Sequence, residues 1–266
     1  GTLMIFMVLE SLKHCYPDLY HSISWLVAID ASEEVLSRDF GKELLRRLGP
    51  ETLACLVFEG GTPLETKYPL VTARKGRAKY IVTVEGRSAH AGNHHDKGAN
   101  AIIQMAHTVQ QIAALTNYDQ QLTFNVGTVH GGSVVNRVPH YAQAEVEMRT
   151  FSPQVFSQGA ENILALNGKS HVSSQDGFPC KVEIHQVEST SPWPRNPGTD
   201  RLFELYKEVG ASLGMSIIPE ERGGLSDGNH LWKHYPTLDG LGPVGNNAHC
   251  SERSPDGSKD QEYVLL

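Results

Sequence analysis

Lys79-Tyr80-Ile81-Val82-Thr83-Val84-Glu85 is the informative stretch of this chain. Tyr80, Val82 and Val84 alternate with Lys79, Thr83 and Glu85, and only Ile81 breaks the period of two that marks a strand with one buried face. Downstream, Ile102, Met105, Val109 and Ile112 fall at 3-4-3 spacing, which places them on one face of a helix. Leu122, Phe124 and Val126 alternate again, as do Ala142, Ala144, Val146 and Met148. Ser152-Pro153 is an N-cap and first-turn pair that opens a second helix, and Cys180, Val182 and Ile184 restore the strand period. The order is β-α-β-β-α-β with half-buried strands, the split ferredoxin-like arrangement, expected over 76–188.

The flanks read differently. Residues 3–14 predict a buried or half-buried helix that ends at Tyr16-Pro17-Asp18. Trp25-Leu26-Val27-Ala28-Ile29 and Leu53 to Phe58 are short continuous apolar runs, the pattern of strands buried on both faces. Between them, 39–48 reads as a helix stopped by Gly49-Pro50. Ser189 to Gly198, with Pro192, Pro194 and Pro197, reads as a return linker. Leu202, Leu205, Tyr206, Val209 and Leu213 then keep helical spacing, and the α/β pattern resumes at Thr237–Leu241. The expected fold is α/β: a mostly parallel-sheet domain in two parts, 1–75 and 189–266, into which the ferredoxin-like module is inserted. The apolar run begins at the first residues without a cap, so a truncated N-terminus is expected. A closing helix is likewise expected beyond the C-terminus.

Apolar residues make up 39 % of the 266 and charged residues 20 %, a globular composition that excludes a disordered chain. The 23 Lys and Arg against 30 Asp and Glu give a formal charge of −7, which disfavours a nucleic-acid backbone as partner. Cys15, Cys55, Cys180 and Cys250 form no C-x-x-C pair, so neither a thiolate zinc ribbon nor a disulfide framework is expected, and thiol usage leans cytoplasmic. Leu3 to Leu9, the longest apolar run, is far shorter than the ~20 residues that span a bilayer, so no membrane partner is expected.

Acidic and imidazole side chains follow three separate strand-like runs: Asp30, Glu33 and Glu34 after the first, Glu59 at the end of the second, and His249 in the glycine-rich loop after Leu241. In open parallel sheets the ligand crevice lies beyond the carboxyl ends of the strands. Two carboxylates and one imidazole suit Zn²⁺. In an adjacent Glu-Glu pair one carboxylate can bind metal while the other accepts the proton of a metal-polarised water. Taken singly, a Glu-Glu pair on a loop is ordinarily solvated surface, and a Glu that ends a strand is ordinarily a cap. Their joint placement makes the case.

Other candidates follow. His90, in Ser88-Ala89-His90-Ala91-Gly92, is either a hydrogen-bond donor to a developing oxyanion or a surface histidine like His94 and His95. Asn136 is either a substrate-binding amide or turn chemistry. Arg222, with Gly223-Gly224 and Ser226-Asp227-Gly228-Asn229, either holds a substrate carboxylate through its guanidinium and nearby N–H groups or is an ordinary glycine turn. Cys250 beside His249 reads as a core cysteine.

Together these segments resemble the aminoacylase / acetylornithine deacetylase / glutamate carboxypeptidase family of dinuclear zinc hydrolases. The matching elements are Asp30-Ala31-Ser32-Glu33-Glu34, Val57-Phe58-Glu59, Arg87 through Gly92 with Gly98-x-Asn100-Ala101-Ile102, Gly131-Gly132 through Asn136-x-x-Pro139, Gly223-Gly224-x-Ser226-Asp227-Gly228, and Gly242-Pro243-x-Gly245-x-x-Ala248-His249. Six elements in this order are specific where each alone is weak. The resemblance implies that Glu33 is the general base and acid, that Glu34 and His249 ligate one zinc and Glu59 a second, and that His90 reaches the partner's active site across a homodimer as an oxyanion donor. It further implies that Asn136, Arg222, Gly224 and Ser226 contact substrate and that the inserted module is the dimerisation or lid domain. The implied reaction is hydrolysis of an N-acyl amino acid or removal of a C-terminal amino acid from a small peptide, with zinc, cobalt or manganese.

The family also has an H-x-D element and a metal-bridging Asp, and neither stands upstream of Glu33 here; His14 and His21 lie in other contexts. A metal-poor, inactive chain is the corresponding expectation. Two other readings stay open: a non-catalytic dimeric α/β fragment or degenerate homologue acting as an interaction module, and a one-metal hydrolase that recruits Asp227.

Overall fold

The computed structural model describes residues 1–31, 38–61, 66–247, 250–256 and 260–264. In chain order the described elements are α1 (Thr2–Cys15), α2 (Pro17–Ser22), α3 (Arg38–Arg47), β1 (Cys55–Leu56), β2 (Lys67–Arg74), β3 (Gly76–Glu85), α4 (Ala101–Ala113), β4 (Thr123–Gly131), β5 (Tyr141–Thr150), α5 (Pro153–Leu164), β6 (Lys181–Thr190), α6 (Pro197–Ser212), β7 (Ser216–Arg222), α7 (Gly228–Leu231), β8 (Thr237–Leu238), β9 (Gly245–Asn246) and β10 (Tyr263–Val264). They divide into two units, one of Lys75–Pro192 and one of Gly1–Arg74 with Trp193–Leu266.

The Lys75–Pro192 unit is the β-α-β-β-α-β module read from the sequence. Its four strands lie in the order β4-β5-β3-β6 with antiparallel neighbours. Tyr80, Val82 and Val84 pair across the ladder with Val146, Ala144 and Ala142, and all six are buried. Met105 and Ile112 of α4 and Phe156 and Ile163 of α5 close over that face. Each large apolar side chain removed from water contributes about 1.5–3 kcal/mol, so this layer is the principal source of the unit's stability. The opposite face carries Arg77, Lys79, Glu147, Arg149 and Glu188, with ion pairs Arg77–Glu188 and Arg149–Glu147, as expected of a sheet wetted on one side.

Both helices begin on side-chain caps. Asn100 Oδ1 accepts from the Ile102 and Ile103 amides at 3.0 and 3.2 Å, and Ser152 Oγ accepts from Val155 at 3.3 Å ahead of Pro153. Such caps stabilise a helix by about 1 kcal/mol each. At Gly159 a side chain would strike Met148 Sδ, so the glycine sets how closely α5 lies on β5. One apolar residue departs from its expected place: Ile102 is exposed, and the buried face of α4 is Ala101, Gln104, Met105, Thr108 and Ile112. The polar pair is accommodated because Gln104 Nε2 donates to Thr108 Oγ1 and its Oε1 accepts the Val172 amide.

The second unit is α/β. β1 pairs with β8, and β2 with β7, in both cases parallel, whereas β9 and β10 are antiparallel. Leu44 of α3 packs with Cys55 and Leu231, and Leu70, Phe203 and Leu238 form a second core cluster. β2 escaped the sequence reading, although Leu70 to Arg74 is buried without interruption.

Several expectations for this unit are corrected. α1 forms where predicted, but none of its residues is buried, and Leu3, Phe6 and Met7 are exposed. Trp25–Ile29 forms no strand: the run is exposed, and Leu26 to Ile29 line with Phe40 and Leu44 an open hollow of about 240 Å³. An apolar run becomes a strand only where a neighbouring strand completes its ladder. The run from Leu53 to Phe58 is strand only at Cys55–Leu56, with Leu53 exposed. The stretch 189–198 is no free linker, because β6 continues to Thr190 and Trp193 is fully buried, its Nε1–H donating to Thr199. α6 buries Thr199, Phe203 and Gly210, leaving Leu205, Val209 and Leu213 in solvent.

Candidate active site

Glu33, Glu34 and His249 lie outside the described residues. Glu59 is described and half-buried just beyond the carboxyl end of β1. Beyond the parallel pair β1 and β8 the two chains continue side by side. Leu241 donates to the Val57 carbonyl (3.2 Å), Gly242 to the Glu59 carbonyl (2.8 Å) and Gly61 to the Pro243 carbonyl (3.0 Å). A side chain at Gly242 would collide with the carbonyl oxygens of Phe58 and Glu59, so this close approach requires glycine. The Glu59 segment is thereby paired with the glycine-rich segment that leads to His249, at the carboxyl end of a parallel strand pair, where ligand crevices of α/β sheets lie.

Arg222 ends β7 and reaches the same segment. Its Nη1 donates to the Gly60 carbonyl at 2.6 Å, and its Nε donates to Glu220 Oε2 at 2.9 Å. The guanidinium therefore stands one residue from Glu59 with Glu220 as its standing carboxylate partner.

Gly224 and Ser226 occupy a loop held from beneath by charge. Asp239 is sealed from solvent directly after β8; its Oδ2 accepts from Arg74 Nε and from Ser226 Oγ, each at 2.7 Å. Arg74 Nη1 also donates to the carbonyls of Gly224 and Leu225, both at 3.1 Å. Ser226 is buried and its hydroxyl serves this network, while Gly224 is exposed. Neither Arg74 nor Asp239 was singled out in the sequence. Asp239 had a legible signal, a carboxylate straight after an apolar strand, as at Glu59.

In the Lys75–Pro192 unit, His90 and Asn136 are brought together. Ala91 donates to the Asn136 carbonyl at 3.0 Å, and Val138 donates to the Ala89 carbonyl at 2.9 Å. His90 is exposed, and its Nδ1 accepts the amides of Gly92 and Asn93 at 3.2 and 3.1 Å. With Nδ1 occupied as an acceptor, the neutral ring carries its proton on Nε2, away from its own loop. That is the state an oxyanion donor needs.

The metal-ligand set is only partly in view. Among the described residues no group of three or more His, Cys, Asp and Glu stands together as a metal site, and Glu59 is the single described member of the three ligands read from the sequence.

Comparison with known proteins finds similarity over parts of the chain. Residues 72–168, which contain His90 and Asn136, match the peptidase dimerisation domain. Carboxypeptidase G2 of Pseudomonas sp. (strain RS-16) is 24 % identical over 204 residues, 74 % of this chain and 46 % of that protein. Acetylornithine deacetylase of Buchnera aphidicola subsp. Acyrthosiphon pisum (strain Tuc7) is 30 % identical over 172 residues, 59 % of this chain and 43 % of that protein. The crystal structure of aminopeptidase PepT from Bacillus cereus shares the fold, with a TM-score of 0.61 at 22 % identity over 80 % of this chain and 56 % of that one. The resemblance carried by the motifs is thus met by these relatives, and the chain spans about half the length of the curated relatives it matches.

Proposed function

We propose that this chain carries part of the machinery of a metal-dependent hydrolase that cleaves the amide bond of an N-acyl amino acid or releases a C-terminal amino acid from a small peptide. The observation that carries this reading is the pairing of the Glu59 segment with the segment leading to His249 at the carboxyl ends of β1 and β8. The names of the relatives, a carboxypeptidase and a deacetylase, fit such a reaction.

In this reading Glu34, Glu59 and His249 hold divalent metal, and Glu33 takes the proton from the attacking water and delivers it to the leaving amine. The Nε2–H of His90 stabilises the developing oxyanion. Arg222, with Asn136 and the backbone around Gly224, holds the free carboxylate of the substrate. Of the three ligands, the described residues supply Glu59 alone. No H-x-D element stands between Gly1 and Glu33, and weak metal retention with little turnover by this chain alone forms part of the proposal.

Homodimerisation through the Lys75–Pro192 unit belongs to the same reading. A β-bulge at Gly127 interrupts β4, and beyond it Val129 stands opposite buried Ala144 yet is 50 % exposed. Ile102 and Ile103 on α4 are exposed as well, and such apolar surface suits a second copy. The test of the activity uses the protein as its gene encodes it, supplied with Zn²⁺, Co²⁺ or Mn²⁺ and offered a panel of N-acetyl amino acids and dipeptides. Hydrolysis that Glu33→Ala abolishes while metal binding persists is expected. Retained hydrolysis in that variant refutes the assignment.

A further inference from the structure

The His90 loop is gripped from two sides, and one of the grips is a single guanidinium. The excursion from Gly86 to Ala99 is closed at its base by reciprocal backbone bonds, Arg87 N–H to Ala99 (3.0 Å) and Ala99 N–H to Arg87 (2.9 Å). Across that base Arg87 Nε donates to the Lys97 carbonyl at 2.6 Å. Its Nη2 donates outward to Ser174 Oγ at 2.9 Å and to the Asp176 carboxylate, and the guanidinium lies 4.9 Å from the centre of the Phe178 ring. The 173–179 turn is itself joined to the loop, because Gln175 donates to the Asp96 carbonyl at 2.8 Å. On the other flank, Arg137 Nε donates to Ser88 Oγ at 3.2 Å, beside the backbone bonds from 89–91 to 136–138.

We infer that Arg87 is a positioning residue for His90: its planar fork ties both ends of the loop to the 173–179 turn, so that Nδ1 stays under the Gly92 and Asn93 amides and Nε2–H points outward in one orientation. A fork that meets a carbonyl, a hydroxyl, a carboxylate and an aromatic face at once is beyond an ammonium group. An isolated exposed ion pair holds little, whereas here the charge is one of several bonds converging on a single rigid group. The inference rests on the oxyanion role proposed for His90, but its test reads the ring itself and needs no turnover.

In the full chain, ¹⁵N-histidine labelling, with the His90 signal assigned by its loss in His90→Gln, reports the tautomer from the proton couplings of each ring nitrogen. Amide exchange reports Gly92 and Asn93. Wild type is expected as the single Nε2–H tautomer. Arg87→Gln is expected to mix the tautomers and to speed exchange of the Gly92 and Asn93 amides about tenfold or more, with β3 and β5 amides unchanged. Arg87→Lys should restore neither. If Arg87→Gln does not fold, Asp176→Asn carries the same test with a smaller shift in the same direction. Wild-type tautomer and exchange in the folded variants would overturn the inference while leaving the role of His90 standing. Hydrolysis indifferent to His90→Gln would instead remove that role and leave the clamp intact.

Discussion

Arg74 and Asp239 face each other at 2.7 Å with their side chains 5 % and 0 % exposed, a charge pair closed off from water on β2 and directly after β8. The Asp239 carboxylate also accepts from the Ser226 hydroxyl, and the Arg74 guanidinium donates to the carbonyls of Gly224 and Leu225, so the pair anchors the glycine-rich loop proposed to contact substrate. Removing one member of such a pair leaves a buried charge without its counter-charge, which costs about 3–5 kcal/mol. Asp239→Asn should lower the unfolding free energy by that amount in urea titration, with a fall in the midpoint and little change in slope. A loss below about 1 kcal/mol would show that the pair is not sealed as described.

Tyr80 makes the opposite prediction. It is 1 % exposed on the core face of β3, and its hydroxyl has no hydrogen-bond partner among the described residues. Burial pushes the phenol up to about 12. An unmet buried hydroxyl costs about 1–3 kcal/mol, so Tyr80→Phe should leave the protein as stable as wild type or more so. A loss of more than about 1 kcal/mol in thermal or urea unfolding would mean that the hydroxyl has a partner after all.

The Arg87 clamp has a pH signature. The guanidinium of Arg87, and after it the Ser174 hydroxyl, hold the Asp176 carboxyl at about 2, below its ordinary 3.8. A lowered carboxyl favours the folded form above its ordinary value and loses that contribution as pH falls through about 2. Carboxyl ¹³C shifts should therefore show Asp176 titrating near the lower figure and moving up toward the ordinary one in Arg87→Gln. Titration near 3.8 in wild type would contradict the contact.

The thiols divide by burial. Cys15 and Cys250 are exposed, whereas Cys55 and Cys180 are buried. Burial lifts the Cys55 thiol to about 11 and raises Cys180 as well. Since the thiolate is the reactive form, alkylation at neutral pH should modify Cys15 and Cys250 quickly, and Cys55 and Cys180 only on unfolding. Mass spectrometry that finds Cys55 labelled early would contradict the packing of α3 on β1.

The inserted module was legible because its strands obey a strict period: Tyr80-Val82-Val84 and Ala142-Ala144-Val146-Met148 each present one buried face, and Ser152-Pro153 marks its helix start locally. The flanking unit was less legible because continuous apolar runs carry no period. Trp25–Ile29 and Leu53 to Phe58 look alike in sequence, yet only Cys55–Leu56 found a parallel partner in Thr237–Leu238. Leu205 and Val209 kept helical spacing but lie off the core face, since Phe203 and Gly210 take the buried side. In the candidate site, Glu59, His90 and Arg222 were visible as motif residues. Asp239 follows an apolar strand as Glu59 does, but its pairing with Arg74 was not visible, because it joins positions 165 residues apart that no local pattern links.

The central claim is that Glu34, Glu59 and His249 meet around divalent metal. Titration of the protein with Co²⁺, followed by its visible absorption, tests this directly. Weak binding is expected, further weakened about tenfold or more by each of Glu34→Ala, Glu59→Ala and His249→Ala and unaffected by His90→Ala. Cobalt affinity that all three substitutions leave unchanged would contradict it.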